Sequence, residues 1–293
     1  MVRMEDLCIF TPTYNRSYVL PRLFESLERQ TTGGFEWLIV DDGSTDDTES
    51  VVRQFQASEA SFPIRYLKQS NGGKQRAHNT GVEACTCELF MCLDSDDRLA
   101  VNAVEDIRSI WKDRCDDPSI AGVVALCGPS AEKPTGTWMP ESIDTITLWD
   151  LYYKKKHCGD TAHIYRTDIL KQYPFYVHED EKFMAETYVY HQIDQHFRLA
   201  VLNKVISIIE YLPDGYTKNV RQVTKDNPFG FMALKRLHLE YSDTLYLKYY
   251  NTILFLVGHR LSGSKRGIAD SPYKGLAYLA YLPAWLLCKT VYR

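Results

Sequence analysis

Four short strand-like runs, LCIF at 7–10, WLIV at 37–40, IRYL at 64–67 and LFMCL at 89–93, alternate with stretches of helical period across the first hundred residues. Between the first two, Val19, Leu20, Leu23, Phe24 and Leu27 recur at helical spacing within 18–30, and Pro21 falls in the first turn, where proline is tolerated. A second helix is expected from about Thr45, capped by Ser44 or Thr45, with Asp46 and Asp47 favouring its positive end. A third is expected from about Gln75 to Ala84 and a fourth over 101–111, and residues 122–126 read as a further strand. This β-α-β order predicts an α/β fold, a mostly parallel sheet with helices on both faces.

Two acid clusters sit where a strand-like run ends: Asp41-Asp42 after the second, and Asp94-Ser95-Asp96-Asp97 after the fourth. One acidic turn is ordinarily a solvated turn. Two on the same sheet edge point to a site, because open α/β sheets bind ligands outside the carboxyl ends of their strands. Carboxylates there suit a hard divalent cation, or the N–H and hydroxyl donors of a nucleoside. The first loop reads TPTYNR, not the Gly-x-Gly-x-x-Gly of a dinucleotide-binding dehydrogenase. It also lacks the glycine-rich phosphate loop expected of a nucleotidyltransferase.

With 293 residues the chain can bury a sizeable core, and its 25% charged content is ordinary for a globular protein. The net charge of −4 gives no general attraction to nucleic acid. Eight cysteines show no framework-like spacing: Cys8 and Cys92 read as small hydrophobes in strands, and Cys85-x-Cys87 lacks the spacing of zinc ligands. The first ten residues contain no apolar signal-peptide core, and no run approaches 18 apolar residues. A reduced, cytoplasmic protein is the expectation.

TPTYNR, VDDGSTDDT, NGGKQRAHNTG and LDSDD, in this order and spacing, resemble the family 2 glycosyltransferases of the GT-A fold. The likeness is close over about 5–130 and looser to about 220. It implies a nucleotide-sugar-binding catalytic domain over 1–220 and a C-terminal helical region over 221–293. It also implies that Thr11, Pro12 and Tyr14 line the base, and that Asp42 accepts a hydrogen bond from the base N–H while Asp41 braces the loop. Lys74 and Asn79 would touch base, ribose or phosphate; relatives often carry Arg where this chain has His78. Asp96 would coordinate Mn²⁺ or Mg²⁺, Asp94 would hold ribose or a metal-bound water, and Asp97 would orient the following helix.

A transferase of this kind needs a base for the acceptor hydroxyl, worth about 10²–10⁴-fold. The dense acidic segment HEDEKFMAE, 178–186, supplies the candidates. By resemblance the base is Glu186, with Glu181 second and Asp180 third. Farther on, Pro213-Asp214-Gly215 has turn chemistry, and Lys218 and Arg221 are candidates to close over a diphosphate.

Residues 244–293 carry seven Lys or Arg against one acid, Asp270, with aromatic-aliphatic patches at 246–257 and 276–287, the second interrupted by Pro283. Such a stretch suits a membrane interface, or a helical pair packed on a domain. Two classes of function follow. One is an inverting glycosyltransferase acting from a nucleotide-sugar, by the resemblance a UDP-sugar, on a saccharide acceptor, lipid-linked, in surface polysaccharide synthesis. The other is a non-catalytic sugar-nucleotide-binding protein that keeps the fold, against which Asp42, Asp94 and Asp96 argue.

Overall fold

The structure, a computed structural model, describes residues 6–210 and 219–293. They fall into two compact units. One runs to Pro174 and resumes at Val189; the other joins Phe175–Tyr188 to the C-terminal segment ending at Arg293. The second unit thus takes in the acidic segment, which the sequence reading had placed within 1–220.

The first unit is built on a nine-stranded sheet. Its strands are β1 (Leu7–Thr13), β2 (Phe35–Asp41), β3 (Ile64–Lys68), β4 (Leu89–Cys92), β5 (Arg98–Leu99), β6 (Ile120–Gly128), β7 (Thr145–Ile146), β8 (Thr161–Arg166) and β9 (Arg198–Ile208). Their order is β3-β2-β1-β4-β8-β6-β9-β5, with β7 against β9. The β3-β2-β1-β4 half is parallel throughout, as the alternation predicts. β8 lies antiparallel between β4 and β6. Between β6 and β8 come the two-residue β7, a π-helical turn (Asp150–Lys154) and irregular segments, and an antiparallel return needs no crossover helix.

The helices are α1 (Leu20–Glu28), α2 (Thr48–Ala57), α3 (Lys74–Ala84), α4 (Ala103–Lys112), α5 (Thr167–Leu170) and, across the boundary of the two units, α6 (Thr187–Ile193). Leu20, Leu23 and Leu27 of α1 join Val52 and Phe55 of α2 and Ile107 and Trp111 of α4 over one sheet face, against Ile9, Trp37 and Ile39. Each large apolar side chain so buried contributes about 1.5–3 kcal/mol. α3 covers the other face, where His78 meets Phe10 and Phe90 edge-on, at 5.6 and 5.2 Å between centroids. α3 approaches closely because of Gly81, where an added Cβ would come 2.4 Å from the Phe10 ring.

α2 begins later than expected. Ser44 and Thr45, the anticipated caps, are engaged by the preceding loop: Asn15 N donates to Ser44 Oγ at 2.9 Å, and Thr45 N donates to Asn15 Oδ1 at 2.8 Å.

In the second unit, α7 (Val220–Asp226), α8 (Pro228–Tyr241), α9 (Leu245–Leu261), α10 (Gly267–Asp270) and α11 (Lys274–Thr290) follow one another. Ala277, Ala280 and Ala284 of α11 pack on Leu256 and Val257 of α9. α11 runs through Pro283 without breaking. The carbonyl that loses its partner to that proline, Leu279 O, accepts from the Tyr249 hydroxyl at 3.5 Å. The outer side of α11 is apolar and open, with Tyr278, Leu279 and Leu282 more than 60% exposed. No helix among the described residues is long and apolar enough to cross a membrane.

Candidate active site

The carboxyl ends of β1, β2 and β4 meet in register, with Thr13 opposite Asp41 and Phe10 opposite Cys92. The loop after β1 therefore lies on the turn after β2. Asn15, held at φ 54°, makes the two bonds described above, and the Ser17 hydroxyl donates to Asp46 Oδ2 at 2.7 Å. Burial works to raise Asp46, but hydrogen bonds from Thr48 and Ser17 outweigh it and hold the carboxyl at about 2. Asp41 is fully buried and braces the turn, accepting from Ser44 N at 2.7 Å and the Tyr66 hydroxyl at 2.6 Å. Gly43 permits the turn at φ 84°, and a Cβ there would meet Asn71 N at 2.9 Å.

Asp42 has a different task. Its oxygens accept from Gln69 Nε2 at 2.7 Å, Gly72 N at 2.9 Å, Gly73 N at 2.7 Å and Asn71 Nδ2 at 3.2 Å. An ionised carboxylate has about four lone-pair sites, and the β3–α3 loop takes all four. The sequence reading assigned Asp42 a base N–H and passed over Gln69, Asn71, Gly72 and Gly73; its nearest signal was the turn string SNGGK.

Lys74, the first residue of α3, pairs with Asp94 at 2.7 Å. Asp97 N donates to Asp94 O at 3.0 Å, turning the chain after β4. Burial, and then the neighbouring Asp94 charge, raise Asp96 above the usual carboxylate range. Burial followed by the charges of Asp94 and Asp96 pushes Asp97 up to about 8. Asp97 accepts the Glu210 N–H, so it ties the turn to the chain just beyond β9 and does not cap α4. Three crowded carboxylates, when all are ionised, face two positive charges, Lys74 and Arg16, so one negative charge stays unbalanced. Among the described residues, however, the only three His, Cys, Asp or Glu side chains with donor atoms within 4.8 Å of one another are Cys8, Glu36 and Cys85. Mg²⁺ is ordinarily held by one or two carboxylates together with substrate phosphates, without a three-ligand protein cage.

Thr11 is buried opposite Ile39 in the β1–β2 ladder, and its hydroxyl accepts from Trp37 Nε1 at 3.0 Å. Pro12 follows opposite Val40, and Tyr14 is 46% exposed at the mouth of the loop. Asn79 is half-buried on α3, while His78 packs among aromatic rings, which accounts for an imidazole at a position where a basic contact was considered.

In the second unit, Glu181 proves to be the N-terminal cap of α8. Its two oxygens accept from Phe229 N at 2.6 Å and Gly230 N at 2.7 Å. Asp180 keeps an 84% exposed side chain, approached by His178 Nδ1 at 4.0 Å. Glu186 is half-buried immediately before α6. Arg221 lies on α7 beside Lys225 and Arg293 around a hollow of about 360 Å³. Lys218 and the 213–215 turn lie outside the described residues.

A largely parallel α/β sheet thus gathers a loop-organising aspartate, a lysine and an Asp-x-Asp pair at its strand ends. The family model described as Glycosyl transferase family 2 matches residues 8–174, more than half of the chain, and the chain belongs to that family. It is 39% identical over 103 residues to "Chondroitin synthase" of Escherichia coli, 35% of this chain and 15% of that protein. It is 31% identical over 108 residues to "GalNAc(5)-diNAcBac-PP-undecaprenol beta-1,3-glucosyltransferase" of Campylobacter jejuni, 36% of this chain and 34% of that one. The chain thus spans less than two thirds of the length of these relatives. Among solved structures, S. aureus TarS 1-349 in complex with UDP-GlcNAc superposes with a TM-score of 0.60 at 20% identity, covering 95% of this chain and 80% of that one. The mannosyltransferase PcManGT from Pyrobaculum calidifontis, in complex with GDP-Man and Mn²⁺, gives 0.56 at 19% identity, covering 98% and 82%. Both likenesses show the GT-A fold.

Proposed function

We propose that the chain is an inverting glycosyltransferase that moves a sugar from a UDP-sugar to a lipid-linked saccharide acceptor. The observation that carries this reading is the cluster at the ends of β2 and β4: Asp42 holding the 69–73 loop, Lys74 facing Asp94, and Asp96 between two acids. Thr11, Pro12 and Tyr14 would bound the base, Asn79 the ribose or phosphate, and Lys74 a phosphate oxygen. Asp42 would take the base N–H by exchanging it for one of its side-chain donors, Gln69 or Asn71.

Asp96, with Asp94, would hold Mn²⁺ or Mg²⁺. Bound there, the cation supplies charge to stabilise the departing nucleoside diphosphate. The acceptor hydroxyl needs a carboxylate with an available lone pair. Glu181 holds the start of α8 through both its oxygens, so we assign the base to Glu186, with Asp180, whose carboxylate is exposed, as the alternative. Arg221 and Lys218 are proposed as diphosphate contacts on the strength of their charge.

For the acceptor, the relevant observations are the open apolar side of α11 and the seven basic residues after 243. They suit a peripheral position on the anionic, cytoplasmic face of a membrane, where a lipid-diphosphate acceptor diffuses. The reading divides the chain into a catalytic domain up to about 220 and a membrane-associating helical region beyond it.

The deciding experiment is a screen of nucleotide-sugars for Mn²⁺-dependent thermal stabilisation, followed by transfer assays with the ligands that stabilise, since a ligand bound only to the native state raises its apparent stability. No stabilisation by any nucleotide-sugar would overturn the proposal. Stabilisation without transfer to any acceptor would favour a binding protein.

A further inference from the structure

At the opposite edge of the sheet from the nucleotide loops, three thiols and a carboxylate converge. Cys8 and Glu36 are register partners at the start of β1 and β2, so their side chains share a face. Cys85 follows the last residue of α3 and Cys87 comes two residues later. The donor atoms of Cys8, Glu36 and Cys85 lie within 4.8 Å of one another and all three residues are buried. Cys85 Sγ is in hydrogen-bond contact with the thiols of both Cys8 and Cys87, and the Thr167 hydroxyl lies 3.5 Å from it. Arg65 Nη1 reaches the two oxygens of Glu36 at 3.1 and 3.4 Å from the outside.

We propose that Cys8, Cys85, Cys87 and Glu36 form a closed, structural Zn²⁺ site. Arg65 pairs with Glu36 from one side, and a carboxylate oxygen still lies within 4.8 Å of two buried thiols on the other, a donor set that simple apolar packing of cysteines does not require. Tetrahedral zinc with Zn–S near 2.3 Å and Zn–O near 2.0–2.2 Å sets its donors roughly 3.5–3.8 Å apart, within the 4.8 Å spread of Cys8, Glu36 and Cys85; Cys87, whose thiol contacts those of Cys8 and Cys85, would close in as the fourth ligand. On binding, three thiol protons leave to solvent as three S–Zn bonds and one O–Zn bond form. Thr167 and Arg65 are the outer partners that such ligands require. The metal would pin the C-terminal end of α3 to β1 and β2, and the other end of that helix carries Lys74.

The test uses the full chain, expressed with added zinc and purified without chelator. Metal content is measured directly, and the protein is also refolded with Co²⁺ and its absorption spectrum recorded. The expected result is one zinc per chain and, with cobalt, a near-ultraviolet thiolate charge-transfer band with intense tetrahedral visible bands. That band identifies sulfur ligands and so excludes Asp94 and Asp96 as the site observed; it should persist in Asp96→Asn. Glu36→Gln should keep the band and shift the visible transitions, and Cys8→Ser should weaken it. If the cysteine variant does not fold, the spectrum of the unaltered chain decides alone. Folded protein with no zinc and no thiolate–cobalt band would overturn the proposal, as would a Cys8–Cys85 disulfide found by mass spectrometry.

Discussion

Lys74 Nζ stands 2.7 Å from Asp94 Oδ1 and 2.8 Å from Oδ2, so the first residue of α3 and the acid after β4 neutralise each other across the strand ends. The pair is partly solvated, with side-chain exposures of 20% and 42%, and such pairs add about 1 kcal/mol or less to stability. An arriving diphosphate would compete with Asp94 for this lysine. Lys74→Ala should therefore weaken UDP binding about tenfold, roughly 1.4 kcal/mol, with little change in melting temperature. Calorimetric titration beside a melting curve separates the two effects.

Asp96 is more buried and faces the Asp94 charge. Asp96→Asn should abolish Mn²⁺-dependent UDP binding while the protein stays folded, and Asp94→Asn should do so less completely. Mn²⁺-dependent affinity that survives intact in the Asp96 variant would remove this residue from the metal site.

The acidic segment yields a three-way test. Asp180→Asn or Glu186→Gln, whichever removes the base, should lower turnover by about 10²-fold or more with donor binding unchanged. Glu181→Ala should act differently. It leaves the N–H groups of Phe229 and Gly230 without their acceptor, which costs about 1–3 kcal/mol, and the loss should appear in thermal unfolding.

Asp194 provides a pH signature. Burial raises its carboxyl to about 7, against the opposing bonds from Trp149 N and Leu148 N. The unfolded value is about 3.9, so the folded state binds the extra proton between these two pH values. Its contribution to stability is complete below about pH 4 and is lost as pH rises through about 7. Melting curves of Asp194→Asn should lack this component, so the difference from the unaltered chain changes across that window and is flat above it.

Leu279 and Leu282 lie on the open side of α11, at 68% and 61% exposure. The unaltered chain should float with anionic liposomes, less so at high salt, because each basic residue near the surface is worth about 1 kcal/mol and is screened beyond about 10 Å. Leu279→Glu with Leu282→Glu should abolish flotation without unfolding α11. If the unaltered chain never floats, α11 has no membrane role.

The parallel half of the sheet was readable because its strands are buried on both faces and spell apolar runs such as WLIV, while α1 announces itself through Leu20, Leu23 and Leu27. β8 was not, since TAHIYR mixes polar and apolar residues and its partners β4 and β6 lie far away in sequence. The acid pairs do lie together at the carboxyl ends of β2 and β4, as the alternation of elements implied, yet the bonds each acid makes depend on distant groups. Asp42 meets donors some thirty residues on, and Glu181 meets backbone N–H groups nearly fifty residues on. Residue type could suggest a carboxylate for Glu181 but could not show that both its oxygens were already engaged. Pro283 read as an interruption because the acceptor that compensates it, through Tyr249, lies on another helix. The thiol cluster escaped notice for a similar reason, as its ligands come from β1, β2 and the exit of α3 and share no local spacing.

The four donors on Asp42 bear on the tempo of donor capture. Gly72 N and Gly73 N are held on that carboxylate by the protein's own bonds, so on the proposed function the 69–73 loop would lose little chain entropy when a nucleotide binds. Encounter should then follow simple second-order kinetics, with an observed rate linear in nucleotide concentration and no plateau from a slow ordering step. Discrimination among bases would reside in departure: a nucleotide unable to replace Gln69 or Asn71 at Asp42 should arrive as fast as the correct one and leave sooner.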